Sequence, residues 1–553
     1  MESVAGQERA DALTVRGVVE PGDQRGRTLG FPTANIALPD EAGDVEDGVW
    51  AGWVERADGT RLTAAVSIGR RPTYYGSDGL RLIEAHVLDF DGDLYGEVLT
   101  VYLGRHLRAQ RAFDSGDALI AALAEDVAAT RIWSEAATGE LIPADGRLSG
   151  LVHYDVAAIR RHFPALAEGA AHFDGPGGSQ MPDVVADAVA GTLHAAVSNR
   201  GTVTAAERRA EEIVTEARTA AADLLGATSS GIVFGRSMTQ LTYDFSRTLA
   251  KDWRPGDEVV VTRLDHEANI RPWVHAAEAT GVTVRWADFD PETGELSADT
   301  IAGLLSTRTR LVAVTAASNL LGTRPDIRAI TEHARDAGAL TYVDGVHLTP
   351  HCPVDVTALG ADFYACSPYK FLGPHLGLVA ADPRLLETLR PDKLLPSPDA
   401  VPERFELGTL PYELLAGTTA AVRFLGDLVP GQGSLRERLA ISMPALEQYE
   451  SALLQRLESG LAEIGGVTLH GSPDRRRTPT VLFSLVGVPP DEVYRKLGES
   501  GVNAPAGHFY ALECSRHLGL GDAGAVRAGI APYTHESDVD RLVDGVGRIA
   551  RAS

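Results

Sequence analysis

The stretch SPYKFLGPHLG, residues 367–377, follows an apolar run and places a single lysine, Lys370, ahead of a glycine-proline turn. Upstream, ALTYVDGVHLTPH, residues 339–351, holds a second apolar run that ends on Asp344. Similar runs, DEVVVTRL, TVRWADF and RLVAVTAAS, alternate with helical stretches such as AAERRAEEIVTEARTAAADLLG. Strands that alternate with helices predict a mostly parallel sheet in an α/β domain.

Several polar residues stand at the ends of these predicted strands or in the loops directly after them. They are Thr239, His266, Asn319, Asp344, Ser367 and Lys370. In an open α/β sheet the carboxyl ends of the strands converge on one cleft, and the ligand is expected there. A lysine taken alone is far more often a surface residue, so the prediction of a site depends on this shared position.

This set of side chains suits pyridoxal phosphate. A lysine binds the aldehyde of that cofactor covalently and later acts as acid and base, while a carboxylate keeps the pyridine nitrogen protonated. The phosphate favours hydroxyls and backbone N–H groups at a helix N-terminus, which GRSMTQLTYDFSRTLA, residues 235–250, supplies. His266, in RLDHEANIRPW, is expected to cover the cofactor ring.

With these residues in view, the chain resembles the class V aminotransferase family, and within it the cysteine-desulfurase-like proteins. The motifs that carry the resemblance are FDGPGGSQMP (173–182), FGRSMTQ (234–240), DHEANIRPW (265–273), ASNLLGT (317–323), VDGVHLTPH (343–351), CSPYKFLGPHLG (366–377), RFELGT (404–409), AGHFYA (506–511) and VRAGIAPYTHESDVD (526–540). The resemblance implies a pyridoxal-phosphate-dependent transferase of fold type I, with a large α/β part and a small α+β part. It also implies a homodimer.

The resemblance assigns a role to each matched residue. It makes Lys370 the residue that binds the cofactor covalently and Asp344 the partner of the pyridine nitrogen. It places His266 over the ring, and Asn319 and His347 near the ring hydroxyl.

The resemblance also implies where phosphate and substrate bind. The phosphate goes to Thr239, the Met238 backbone and Ser367. Arg527 would hold the α-carboxylate of an amino-acid substrate, because a guanidinium binds a carboxylate through two nitrogens.

Two positions depart from the desulfurase pattern. Desulfurases carry a nucleophilic cysteine on a loop of the small domain, and the matching loop AGHFYA has Tyr510 there. Cys514 is expected to be a buried helix cysteine, and Cys366 is expected to face the core of the sheet. His347 stands where the family usually has glutamine. The sequence therefore predicts the cofactor and leaves transamination, β-elimination of a C–S bond, racemisation and decarboxylation open.

The N-terminal part has a different pattern of predicted elements. Short alternating strands separated by turns, such as GVWAGWVERADG, RLTAAVSIG and GEVLTVYLG, predict a small barrel or sandwich. A helix, SGDALIAALAEDVAATRIW, is expected to begin at Ser115. The expected domains are a β-barrel at 1–140, a linker at 141–155 and the pyridoxal phosphate domain at 156–553. The last divides into a large part, about 186–395, and a small part, 396–553.

The segment GDQRGRTLGFPTANIALP, residues 22–39, offers a glycine-rich turn beside Thr-Ala-Asn. Together with VSIGRRPTY (66–74) and IEAHVLDFDGDLYG (83–96), it resembles riboflavin kinase, a small barrel that phosphorylates riboflavin to FMN. The resemblance implies that Thr33 and Asn35 hold Mg²⁺ and the ATP phosphates. It makes Glu84 the base for the ribityl hydroxyl and lets Arg108 help close the flavin site. Ser67 stands where asparagine is common in that family.

Composition limits which partners and which cellular compartment are expected. A formal net charge of −25 over 553 residues argues against a nucleic-acid backbone or an anionic membrane as partner. Three cysteines cannot pair completely and form no metal-ligand spacing, which favours a reducing compartment. The stretch MESVAGQERADAL has no apolar core, and no apolar run approaches the roughly 18 residues of a spanning helix. A cytoplasmic protein is expected.

Three hypotheses remain. The leading one is a bifunctional enzyme in which a riboflavin kinase is fused to a pyridoxal phosphate enzyme that acts on an amino acid. In the second, the barrel binds flavin without catalysis and regulates the larger part, although intact Thr33, Asn35 and Glu84 count against this. In the third, the larger part is a degenerate scaffold.

Overall fold

The computed structural model describes residues 14–20, 33–37, 47–56, 61–70, 81–88, 90, 94–109, 122–123, 126–127, 129–131, 154–472 and 476–552. The chain divides into two units, residues 1–149 and 150–553. Ser115 and most of the predicted linker lie outside the described residues, as does the GRTLGF part of the glycine-rich segment.

The N-terminal unit contains a closed antiparallel barrel. Its strands are β1 (Thr14–Glu20), β2 (Ala34–Ala37), β3 (Gly48–Glu55), β4 (Arg61–Arg70), β5 (Arg81–Val87) and β6 (Val98–Ala109). They are hydrogen-bonded in the order β1-β2-β5-β4-β3-β6, and β6 pairs with β1 to close the barrel. Ile36, Ile68 and Ile83 fill its core and are fully buried. The prediction of a small barrel or sandwich is thus confirmed in favour of the barrel.

The larger unit contains the remaining described strands. In chain order they are β7 (Ala171–His172), β8 (Ile232–Gly235), β9 (Glu258–Thr262), β10 (Thr283–Ala287), β11 (Thr309–Thr315), β12 (Leu340–Asp344), β13 (Phe363–Cys366), β14 (Gly377–Ala381), β15 (Val467–His470), β16 (Thr480–Leu485), β17 (Val502–Asn503), β18 (Ala506–Gly507) and β19 (Ala525–Gly529).

A seven-stranded sheet has the order β10-β9-β11-β12-β13-β14-β8. Only β14 runs antiparallel to its neighbours within this sheet, so the predicted, mostly parallel α/β sheet is confirmed. The C-terminal part has an antiparallel sheet, β15-β16-β19-β18, and β17 pairs with β7.

Helices cover the sheets. They are α1 (Val156–Arg160), α2 (Asp183–His194), α3 (Ala205–Leu225), α4 (Met238–Ala250), α5 (Arg271–Thr280), α6 (Ala298–Ala302), α7 (Ile327–Asp336), α8 (Val356–Leu359), α9 (Pro383–Thr388), α10 (Tyr412–Gly426), α11 (Leu435–Ala462), α12 (Pro490–Glu499), α13 (Leu512–His517) and α14 (Glu536–Ala552). Capping boxes begin α3 at Thr204 and α11 at Ser434 and satisfy backbone N–H groups that those helices leave free. Within the described residues, no helix combines the length and the apolar character needed to cross a bilayer.

The central strands are apolar on both faces because two separate cores cover the large sheet. Val260 and Val312 pack into the core on one face, whereas Val259, Val261 and Leu311 pack into the core on the other. Successive strand residues point to opposite faces, so a sheet covered on both sides needs the continuous apolar runs seen in the sequence. This double burial leaves the strand ends as the place for polar side chains.

Candidate functional site

The polar residues predicted from the strand ends lie at one edge of the large sheet. Asp344 is the last residue of β12 and Ser367 directly follows β13. His266 follows β9 and Asn319 follows β11. Since β9, β11, β12 and β13 are parallel neighbours, their carboxyl ends bring these residues to the same edge.

Lys370 ends a short 3-10 helix, Pro368–Lys370, beside this edge. Its Nζ donates a hydrogen bond to the carbonyl of Pro176 and lies 5.1 Å from the centroid of the Tyr369 ring. Burial and the positive charge of Arg527 lower the pKa of Lys370 to about 7, although the carboxylates of Asp174 and Asp344 oppose the shift. A lysine with this pKa is largely an unprotonated, nucleophilic amine just above neutral pH.

Asp344 and Asp265 are two buried carboxylates that interact electrostatically with each other, and Asp344 also interacts with Lys370. Asp344 Oδ1 accepts a hydrogen bond from the Val346 N–H at 2.9 Å, and burial raises the pKa of Asp344 to about 6. Burial raises the pKa of Asp265 to about 8, and the charge of Asp344 adds to that effect. The sequence reasoning missed Asp265, although its place directly before His266 in the DHEANIRPW motif was a usable signal.

Two histidines of the site are held in the neutral form. His266 Nδ1 accepts the Ala268 N–H at 3.0 Å, and burial, together with the charges of Lys370 and Arg527, lowers the pKa of His266 to about 3. His347 Nε2 lies 3.0 Å from Thr480 Oγ1, and burial holds the pKa of His347 well below its usual value. A neutral imidazole can lie against a flat aromatic ring without a charge penalty.

Arg527, in β19, is almost completely buried next to Asn319. Its Nη1 donates to the Asn319 carbonyl at 3.0 Å, its Nη2 donates to Asp174 Oδ1 at 2.7 Å, and its Cζ lies 3.7 Å from the centroid of the Phe509 ring. Asn319 Nδ2 donates to the Phe509 carbonyl at 3.0 Å. Arg527 Nε and Asn319 Oδ1 are buried without a hydrogen-bond partner. Unpaired buried polar atoms are costly, so both fit a site that a polar ligand completes.

The N-terminus of α4 offers a place for a phosphate. Ser237 Oγ accepts the Gln240 N–H at 3.1 Å, and the first N–H groups of the helix, from Met238 onward, have no partner within it. The Thr239 side chain is exposed there. A Cβ at Gly377 would overlap the Ser237–Met238 peptide, so glycine lets β14 run against this helix end. A cavity of about 300 Å³, lined in part by Arg236 and Gln240, opens beside it.

The chain has no exposed cysteine for the nucleophilic role. Cys352, Cys366 and Cys514 are all buried, and burial raises the pKa of each thiol. The predictions for Cys366 and Cys514 are therefore confirmed. Tyr510 is 68% exposed, has a left-handed backbone (φ 57°), and its ring centroid lies 5.6 Å from that of His266. A phenol thus stands at the mouth of the site.

The barrel presents its predicted residues on neighbouring strands. Asn35 in β2 lies directly opposite Glu84 in β5, and Glu84 lies opposite Ser67 in β4. Their strand neighbours point into the core, so these three side chains share the outer face. Thr33 directly precedes β2. Amide and hydroxyl oxygens are suitable ligands for Mg²⁺, so Asn35 and Thr33 fit that ion.

Arg108 occupies a different environment. Its Nε and Nη2 donate to the two carboxylate oxygens of Asp126 at 2.8 and 2.6 Å. This bidentate pair joins the end of β6 to the helical residues around position 126. The predicted role of Arg108 in closing a flavin site stays a prediction.

Comparisons with known proteins agree with both units. Residues 171–542 match the family model of class-V aminotransferases, and residues 10–134 match that of riboflavin kinase. An uncharacterised protein of Mycobacterium tuberculosis is 36% identical over 70% of this chain and 98% of its own length. An aminotransferase-like protein of Gibberella zeae is 32% identical over 70% of this chain and 97% of its own.

A crystal structure of a cysteine desulfurase from Escherichia coli covers 72% of this chain and 99% of its own, with a TM-score of 0.63 and 28% identity. Its similarity extends over the larger unit that holds Lys370, Asp344 and Arg527. The chain therefore belongs to the class-V aminotransferase family and carries a riboflavin kinase domain in its N-terminal part.

Proposed function

We propose that the chain is a bifunctional enzyme. The barrel phosphorylates riboflavin to FMN with ATP and Mg²⁺, and the larger unit uses pyridoxal phosphate to transform an amino acid. The observation that carries the second activity is the Lys370 amine, with its pKa lowered to about 7 beside the buried Asp344.

The larger unit has a suitable group for each part of pyridoxal phosphate. Lys370 would bind the aldehyde, Asp344 would face the pyridine nitrogen and His266 would cover the ring. The remaining polar groups would hold the phosphate and the ring hydroxyl: Thr239, the Met238 N–H, Ser367, Asn319 and His347. When bound, this cofactor supplies an electron-withdrawing ring that stabilises negative charge at the substrate Cα.

The residues of the chain supply binding and proton transfer. Arg527 would bind the substrate carboxylate through N–H groups that the protein leaves available, including the unpaired Nε. The Lys370 amine would take or return a proton at Cα, because an amine with a pKa near 7 can do both at neutral pH. The buried thiols cannot serve as a thiolate nucleophile, since the thiolate is the reactive form. This supports transamination or β-elimination over attack of a protein thiol on a substrate sulfur.

A product panel tests this proposal. The full chain, supplied with pyridoxal phosphate and with 2-oxoglutarate as amino acceptor, is incubated with amino acids that include cysteine and its S-conjugates, and the products are identified by mass spectrometry. Pyruvate with a released thiol indicates β-elimination, and an oxo acid that keeps the substrate side chain indicates transamination. A Cys514→Ala variant serves as control and should give the same products. Failure to take up the cofactor, or no product from any amino acid, would contradict the proposal.

The kinase activity is supported by the Asn35–Glu84 register on the outer face of the barrel. The alternative is a regulatory domain that binds flavin without catalysis. Incubation with riboflavin, ATP and Mg²⁺ separates the two. FMN formation supports the kinase, whereas flavin binding without FMN supports the regulatory domain.

We also propose that the protein is a cytoplasmic homodimer. The exposed side chains of Leu394, Leu395 and Leu407 support an association surface in the larger unit. Sedimentation of the full chain that gives only the monomer mass would contradict the dimer. Cell fractionation tests the compartment.

The lowered pKa of Lys370 predicts how cofactor uptake depends on pH. Below about pH 7 the side chain is an ammonium ion and does not attack an aldehyde, so uptake by the cofactor-free chain should rise with pH and level off with a midpoint near 7. Stopped-flow absorbance after mixing with pyridoxal phosphate measures this rate. Arg527→Ala should move the midpoint upward, because it removes a nearby positive charge. A rate that keeps rising toward the ordinary lysine pKa of about 10.4 would contradict the expectation.

A further inference from the structure

The Asp174 carboxylate is already hydrogen-bonded to the guanidinium of Arg527, the group proposed to bind the substrate. Its Oδ1 accepts a hydrogen bond from Arg527 Nη2 at 2.7 Å, and Arg527 itself is only 2% exposed. A second Arg527 nitrogen is used by the Asn319 carbonyl, and Nε has no partner. A side-chain carboxylate of the protein therefore lies on the group that an amino-acid carboxylate needs.

The same carboxylate also influences Lys370. Its negative charge raises the pKa of that lysine, against the lowering by burial and by Arg527. The backbone of the same segment contacts the lysine directly, through the Pro176 carbonyl. Asp174 thus interacts with both Arg527 and Lys370.

Gly177 leaves space for the Asp174 carboxylate. A Cβ at Gly177 would overlap the Asp174 carboxylate, so glycine at 177 lets the side chain reach Arg527. The backbone is fixed, because the Gly177 and Gly178 N–H groups donate to the Asp174 carbonyl at 2.8 and 3.0 Å. The Asp174 side chain is 48% exposed, so it can leave Arg527 by rotation, without movement of the chain.

We propose that Asp174 is a resident counter-ion that holds the α-carboxylate position on Arg527 and is displaced when an amino acid binds. The inference rests on the proposed function for the identity of the ligand. The exchange is non-covalent: one carboxylate leaves the guanidinium and another takes its place, so Arg527 faces one carboxylate before and after. Asp174 then selects for ligands with a carboxylate, because a neutral amide cannot replace its charge next to a buried arginine.

Binding of propionate, a carboxylate without an amino group, tests the competition. Isothermal titration calorimetry compares the full-length native chain with Asp174→Asn, each with and without pyridoxal phosphate. Removal of the competing charge is expected to strengthen propionate binding about tenfold and to lower KM for the amino-acid substrate with little change in kcat. Gly177→Ala, which expels the same carboxylate, should change propionate affinity in the same direction.

Two controls isolate the effect. The gain should vanish in an Arg527→Ala background, since both carboxylates act through that side chain. Asp540 in α14 forms a surface pair with Arg456 in α11, and Asp540→Asn, which removes one charge from that pair, should leave propionate binding unchanged.

Unchanged or weaker propionate binding in Asp174→Asn, or no binding in any variant, would overturn the inference. Unchanged or weaker binding would mean that Asp174 only orients Arg527. Should the chain take up no pyridoxal phosphate and still show the propionate pattern, the counter-ion role would stand and the proposed function would fall.

Discussion

Lys370→Ala is expected to abolish covalent attachment of pyridoxal phosphate and to lower amino-acid turnover on the order of 10²–10⁴-fold, the range that a general acid–base group contributes. The variant loses both the amine that binds the aldehyde and the group that moves the proton at Cα. Borohydride reduction followed by intact-mass measurement reports attachment, because a reduced lysine–cofactor bond survives denaturation. Product formation measures turnover.

The surface lysine Lys496 provides the matched control. It pairs with Glu492 at 2.8 Å on one helix face, and its replacement by alanine should preserve both attachment and turnover. Lys370→Arg introduces a permanent positive charge and should also lose attachment, because a guanidinium is not a nucleophilic amine at neutral pH. A reduced cofactor adduct that persists in Lys370→Ala would assign the chemistry to another lysine.

Glu84→Gln is expected to lower FMN formation by a similar factor, about 10²–10⁴-fold. The amide keeps the size of the side chain but cannot accept the proton of the ribityl hydroxyl. Phosphoryl transfer depends mainly on positioning and charge neutralisation, so loss of the base should lower kcat and leave flavin binding largely intact. Chromatography of FMN made from riboflavin, ATP and Mg²⁺ gives the rate, and flavin fluorescence gives the affinity.

Glu97→Gln tests whether any barrel carboxylate would have the same effect. Glu97 pairs with Arg56 at 2.7 and 2.9 Å, and a partly exposed pair of this kind contributes little to stability. The rate of FMN formation by Glu97→Gln should therefore stay close to that of the native chain. Full activity of Glu84→Gln would remove Glu84 from the reaction, and equal losses in both variants would indicate a general effect on the barrel.

The sequence predicts the large sheet well because its signal is local. Double burial forces continuous apolar runs in β9, β11 and β12, and a polar residue directly after such a run must lie at the carboxyl edge. Asp344 and His266 could be located in this way before any contact was known. The choice between barrel and sandwich had no such signal, since both use short alternating strands and differ only in whether β6 pairs with β1.

Contacts between distant segments could not be predicted. The pairing of Asp174 with Arg527 joins residues 353 positions apart, and the sequence around either residue gives no indication of the other. The burial of Asp265 depends on its hydrogen bonds with Thr262 and Asn269, which exist only once the loop has folded. The antiparallel direction of β14 likewise follows from how the chain turns after Lys370.

The three inaccessible cysteines make the chain convenient for site-specific labelling. Maleimide reagents should find no native target on the folded protein, because Cys352, Cys366 and Cys514 are its only cysteines and all are enclosed. One engineered cysteine at an open position such as Val203, which is 83% exposed, would carry a fluorophore or spin label without background. With a second engineered cysteine, the distance between two such labels could then be followed during turnover.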